Sequence, residues 1–110
     1  MRYLLIFLLA IFSTHVLAQP TWHTSKVANV YPLSDGRVVV RFQSDHTGCT
    51  NGNTPKYYYL GVGHNGVTEL GLKNMYSALL TAGASKKDVT INFDSATEYC
   101  EINRLSVSFQ

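Results

Sequence analysis

Apolar and polar positions alternate in two rhythms along this chain, and each rhythm predicts a different kind of element. Trp22 to Leu33 and Arg37 to Phe42 hold β-branched and aromatic residues, with Ser34-Asp35-Gly36 between them. Two such runs joined by a short turn predict a β-hairpin. Asp-Gly suits its tip, because glycine accepts a positive φ and aspartate tolerates one. Tyr57 to Leu60 predicts a third strand, ended by Gly61, Gly63 and Gly66. The period then changes: Leu72, Met75, Tyr76, Leu79 and Leu80 recur at helical spacing, which places them on one face of a helix. Thr68 supplies an N-cap, Glu69 a first-turn carboxylate and Gly83 a stop, so the helix is predicted over Glu69 to Ala82. Asp88 to Phe93 and Cys100 to Phe109 return to strand, and alternation is clean from Leu105 onward. The predicted order is β-β-β-α-β-β, with no internal repeat and no low-complexity tract.

The first 18 residues stand outside this pattern. Arg2 gives a positive start, Tyr3 to Phe12 is almost unbroken apolar sequence, and Val16-Leu17-Ala18 offers the modest side chains that a leader peptidase reads. The apolar run is shorter than the ~20 residues that span a bilayer. Only its flanks separate a cleaved leader from an uncleaved anchor, and the flanks favour cleavage after Ala18. The expectation is a signal peptide over residues 1–18, one domain over residues 19–110, export to the periplasm or the medium, and no membrane span in the mature chain.

Composition changes the picture modestly. The formal net charge of the 110-residue chain is +2, and loss of Arg2 lowers it by one. The remaining lysines and arginines are scattered rather than striped, which argues against a nucleic-acid partner. Two cysteines, Cys49 and Cys100, in an exported chain predict one disulfide between them, closing a loop worth roughly 4 kcal/mol in a small domain.

Candidate chemistry is sparse. Gly61-Val-Gly63-His-Asn-Gly66 matches G-x-G-x-x-G, follows a strand and precedes a helix, and Asp94 lies where a ribose-binding acid would sit. A dinucleotide fold nevertheless needs a multi-stranded parallel sheet that about 92 residues with three strands before the glycines do not readily supply. His23, His46 and His64 are too far apart in sequence to form a local metal motif. The serines lack a nucleophile elbow, and Asp94, Glu98 and Glu101 read as solvated charge. No enzyme, cofactor or metal site is expected. More informative is the pairing of Trp22, Tyr31, Tyr57, Tyr58, Tyr59, Tyr76 and Tyr99 with Ser, Thr and Asn. Sugars present apolar C–H faces to aromatic rings and hydroxyls to polar groups, a mixture that tyrosine serves on both counts. Successive tyrosines of one strand face opposite sides, so part of the Tyr57-Tyr58-Tyr59 run belongs to the core.

Leu72 to Phe93 carries a resemblance. Met75-Tyr76-Ser77-Ala78-Leu79-Leu80, the turn at Gly83 to Lys87 and Val89-Thr90-Ile91 look like the helix, turn and strand of AB5 toxin B subunits of the subtilase cytotoxin and pertussis-like group. Weaker likeness covers Trp22 and the Val38 to Phe42 strand. The chain also resembles small exported bacterial proteins of unknown role. The toxin resemblance implies a small five-stranded OB-fold-like barrel that assembles as a homopentamer. Its helices would line a pore with Lys73, Asn74, Ser77 and Thr81, a toxin A subunit would thread that pore, and the outer faces would bind cell-surface glycans. It also implies sugar contacts at Ser34 and Asp35, with Asn51 and Tyr57 or Tyr59 nearby; the Asp-Gly hairpin tip and the sequence after Cys49 depart from the group's pattern. The expected function is therefore a secreted glycan-binding B subunit. The alternative, on the same scaffold, is a monomeric secreted or periplasmic interaction protein such as an inhibitor of an exported enzyme.

Overall fold

A computed structural model describes residues 17–110; the leader expected from the sequence lies almost wholly outside the described residues. Five strands and one helix follow in the predicted order: β1 (Pro20–Pro32), β2 (Val38–Phe42), β3 (Tyr58–Leu60), α1 (Glu69–Ser85), β4 (Asp88–Asp94) and β5 (Ile102–Val107). All strand pairs are antiparallel, and the sheet order is β3-β2-β1-β4-β5.

The long first strand organises the rest. Its N-terminal half pairs with β4, from Pro20↔Asp94 to Lys26↔Asp88. A bulge between Val27 and Asn29 then re-aims it, and its C-terminal half pairs with β2, from Val27↔Phe42 to Pro32↔Val38. An extra residue bends a strand and increases its twist, so one strand serves both halves of a curled sheet. At the hairpin tip Gly36 N–H donates to the Leu33 carbonyl at 3.1 Å. Gly36 itself has φ +90, the left-handed conformation that the Asp-Gly pair predicts.

The concave side is the core. Val38, Val40 and Phe42 of β2, Tyr58 and Leu60 of β3, Val89, Ile91 and Phe93 of β4, and Ile102 of β5 are buried there with Leu79 and Ala82 of α1. Alternate residues of each strand point the same way, which is why Tyr58 is buried while Tyr57 and Tyr59 face outward. Its ring packs edge-on against Phe42 at 5.2 Å and Phe93 at 5.3 Å, and its hydroxyl accepts the His46 N–H at 2.9 Å.

The five antiparallel strands expected from the sequence are present in one open hydrogen-bonded sheet, with β3 and β5 as its edges. Because β3 has only three residues, side chains and loops bridge the gap between them. The Cys49–Cys100 disulfide, with Cα atoms 5.6 Å apart, ties the loop before β3 to the loop before β5. Tyr59 N–H donates to the Tyr99 carbonyl at 3.2 Å.

The helix begins as predicted, with the Thr68 hydroxyl accepting the Gly71 N–H at 3.0 Å, but it runs past Gly83 to Ser85. Lys86 ends it in the left-handed conformation, at φ 55 and ψ 42. Gly83 stays helical because it faces Val27, whose Cγ1 lies 3.7 Å from where a Cβ would sit. Leu80 was expected on the buried face and is 45% exposed. It lies about 80° around the helix from Leu72, at the margin of a face completed by Ala82 and Gly83. Among the described residues no helix is long and apolar enough to cross a membrane.

Candidate functional site

The outer surface of β2 and β3 gathers aromatic and basic side chains. Arg37 and Arg41 lie four residues apart and Tyr57 and Tyr59 two apart, so strand geometry turns all four outward. Val39 lies between the arginines and is 1% exposed although it stands outside the main core cluster; Tyr31 and Tyr59 flank it in register.

Ring and cation geometry knits the surface together. The Arg37 guanidinium sits 5.2 Å over the Tyr59 ring and that of Arg41 5.8 Å over Tyr57, within cation–π range. Tyr57 and Tyr59 meet edge to face at 6.2 Å, and Tyr59 meets Tyr99 the same way at 5.8 Å. Arg41 Nε has no hydrogen-bond partner.

Asp35 anchors the end of this surface at the hairpin. Its carboxylate accepts the Arg37 backbone N–H at 3.0 Å and Arg37 Nε at 2.9 Å. The backbone hydrogen bond first, then the guanidinium, holds the Asp35 carboxyl below its ordinary value, so the pair stays charged as pH falls into the usual carboxylate range. Asp35, Gly36, Arg37, Val62 and His64 line a depression of about 360 Å³. Gly61 makes room for it: a Cβ there would come within 2.9 Å of Arg37 Cγ. The first glycine of the G-x-G-x-x-G run thus seats an arginine. His64 Nδ1 lies 3.1 Å from Glu101 Oε1 on the far wall.

The structure brings together Asp35, Tyr57 and Tyr59 of the five residues expected to touch sugar. Ser34 is exposed in the turn beside them. Asn51 is buried and holds the chain: its Nδ2 donates to the carbonyls of Tyr57 at 2.8 Å and Glu98 at 2.9 Å, while its Oδ1 accepts the Tyr57 N–H at 3.2 Å. The side-chain amide acts as an extra peptide unit beside β3 and has no donor left for a ligand. Lys73, Asn74, Ser77 and Thr81 are all exposed along one side of α1, with Leu70 and Leu80 among them at 68% and 45% exposure.

Sequence reasoning missed Arg37 and Arg41, and it held Tyr99 only as one of seven aromatic residues suited to sugars. The i, i+4 spacing of the two arginines on a strand was an available signal. Nothing local marks Tyr99, which reaches Tyr59 because the disulfide brings its loop there. A second outward cluster lies on β1, β4 and β5, where Trp22, Asn92 and Arg104 fall in one cross-strand row; the Arg104 guanidinium lies 4.9 Å over the half-exposed Trp22 ring. His23 and His46 pack with Tyr58 and Phe93 around the core. Among the described residues no group of His, Cys, Asp and Glu has the geometry to hold a metal ion.

Fold and surface define a small, mainly β domain with one helix and one disulfide, carrying an aromatic, guanidinium-rich outer face. The chain matches no model of a known protein family and no curated protein.

Proposed function

We propose that this protein is a secreted, non-enzymatic binding subunit that recognises acidic cell-surface glycans through the Arg37, Arg41, Tyr57, Tyr59 and Tyr99 surface. One observation carries the reading: three tyrosine rings in edge contact, with two guanidinium groups over them. Rings offer flat apolar area to sugar C–H faces, and a guanidinium matches the carboxylate of an acidic sugar in two parallel hydrogen bonds. The strand order, the single helix and the resemblance over Leu72 to Phe93 support assembly as a homopentamer that delivers a toxin A subunit, with Lys73, Asn74, Ser77 and Thr81 toward the central pore.

The test is binding of the oxidised mature protein to immobilised glycans ending in acidic or neutral sugars. Acidic glycans are expected to be retained, and Arg37→Ala or Tyr59→Ala to weaken binding at least about tenfold, the equivalent of 1.4 kcal/mol. Failure to bind any glycan, or binding unchanged in both variants, refutes the reading. Native mass decides the assembly: a pentamer supports the ring. A monomer favours the second reading, an interaction protein, which rests on the apolar groove of Ala78, Leu105, Val107 and Phe109 beside α1.

A further inference from the structure

Asp94, expected from the sequence to be a solvated charge, is instead the one acidic or basic residue that is buried among the described residues, at 8% exposure. No lysine, arginine or histidine among those residues pairs with it; Arg104 shares its pocket, but that guanidinium lies over Trp22. A carboxylate in such a place is stabilised by a cation set beside it. Asp94 Oδ1 accepts two N–H groups, from Ala96 at 2.9 Å and from Gln19 at 2.9 Å.

The Gln19 nitrogen is held firmly in place. Its own carbonyl accepts the Ser95 N–H at 3.1 Å, the Ser95 hydroxyl at 3.3 Å and the Thr21 hydroxyl at 3.1 Å. The β1–β4 ladder starts at the next residue, Pro20↔Asp94. On the other side Ala18 and Leu17 are exposed, Leu17 at 78%. The Ala18–Gln19 bond is therefore accessible, and it is the bond that the Val16-Leu17-Ala18 pattern marks for cleavage.

We infer that Gln19 is the N-terminal residue of the mature protein and that its α-ammonium is the missing partner of Asp94. The inference rests on reading residues 1–18 as a cleaved leader and is independent of any glycan. Hydrolysis by a leader peptidase adds one water across the Ala18–Gln19 bond. Ala18 leaves with the new carboxylate, and the freed Gln19 nitrogen takes up a proton. A neutral amide hydrogen bond to a buried carboxylate becomes a charge-assisted one, so processing adds to the fold a charge that it is already shaped to receive. Ala18 also lines the pocket beside Asp94, and its departure opens that pocket to water.

The full chain, expressed for export, is first examined by N-terminal sequencing and intact mass. The expected product starts at Gln19 with a free amine. A start elsewhere overturns the inference, as does a mass lower by one ammonia, because cyclisation of Gln19 leaves its nitrogen uncharged. Thermal unfolding is then compared for the mature chain, for a chain with one residue added ahead of Gln19, for Asp94→Asn, and for the two changes combined. Each single change is expected to lower Tm by about 5 °C or more, and the combination by little more than either alone, the mark of two groups acting through one interaction. Additive losses overturn the pairing while leaving the cleavage site intact. Should Asp94→Asn fail to fold, the rate at which an acylating reagent modifies the α-amine of the mature chain replaces it. Modification at least about tenfold slower than in the urea-unfolded chain is expected, the population shift that 1.4 kcal/mol produces, and equal rates refute the ion pair.

Discussion

Tyr58 and Asn51 are polar side chains that the core uses rather than excludes. The Tyr58 ring fills the space between Phe42 and Phe93 while its hydroxyl satisfies the backbone N–H of His46. Tyr58→Phe keeps the ring and strands that N–H, so unfolding in guanidinium should show a loss of about 1–3 kcal/mol with the slope unchanged. Burial pushes the Tyr58 phenol above its ordinary value, with the Asp45 charge adding to the effect and the His46 N–H opposing it. The folded state therefore keeps this proton at a pH where the unfolded chain has lost it. The associated stability is complete below about pH 10, the ordinary phenol value, and declines as pH rises through the folded value. A spectrophotometric titration should find one tyrosine ionising after the others in the wild type, and that late step should vanish in Tyr58→Phe.

Among the elements, α1 shows where local pattern stops being informative. Apolar spacing and Thr68 located its start, because an N-cap is a contact between residues three apart. Its end depends on a distant residue: Gly83 would be a stop by itself, yet it packs on Val27 of β1 and the helix continues until Lys86 reverses the chain toward Asp88. A non-glycine residue in the left-handed conformation costs about 1–2 kcal/mol. Lys86→Gly should accordingly raise Tm by a few degrees, and an unchanged or lower Tm would show that the cap carries no strain. The candidate site divides in the same way. Asp35, Tyr57 and Tyr59 were singled out as sugar contacts only through the toxin resemblance, and the two-residue spacing of the tyrosines adds that both lie on one face of their strand. Arg37 and Arg41 acquire meaning only once register sets them over those rings, and Tyr99 only once Cys100 is bonded to Cys49. Asn51 had the composition of a sugar contact, but its burial, a tertiary property, turns its amide toward the backbone of Tyr57 and Glu98.

For the molecule as a whole, the disulfide replaces the ladder that β3 and β5 do not form. It joins positions 51 residues apart, and constraining a loop of that size in the unfolded chain contributes roughly 4 kcal/mol, a large share of what a small domain has. A Cys49→Ser, Cys100→Ser double variant, or reduction of the wild type, should bring the guanidinium midpoint down steeply and loosen Tyr59 and Tyr99 first. Hydrogen exchange at the Tyr59 amide, which bonds to the Tyr99 carbonyl, reads that loosening directly. Exchange there equal to the oxidised protein would show that the bridge is dispensable to the site.

The division of β1 between two partners also sets a schedule. Its second half meets β2 about ten residues further along the chain, whereas its first half has to wait for β4, which spans Asp88–Asp94. Contacts that join distant parts of a sequence form slowly, because the intervening chain must first be ordered. During synthesis the hairpin can close early, but the segment from Pro20 to Lys26 has no partner strand until Asp88 to Asp94 has been made. The central strand of the sheet is therefore completed in two stages, its β2 side before its β4 side.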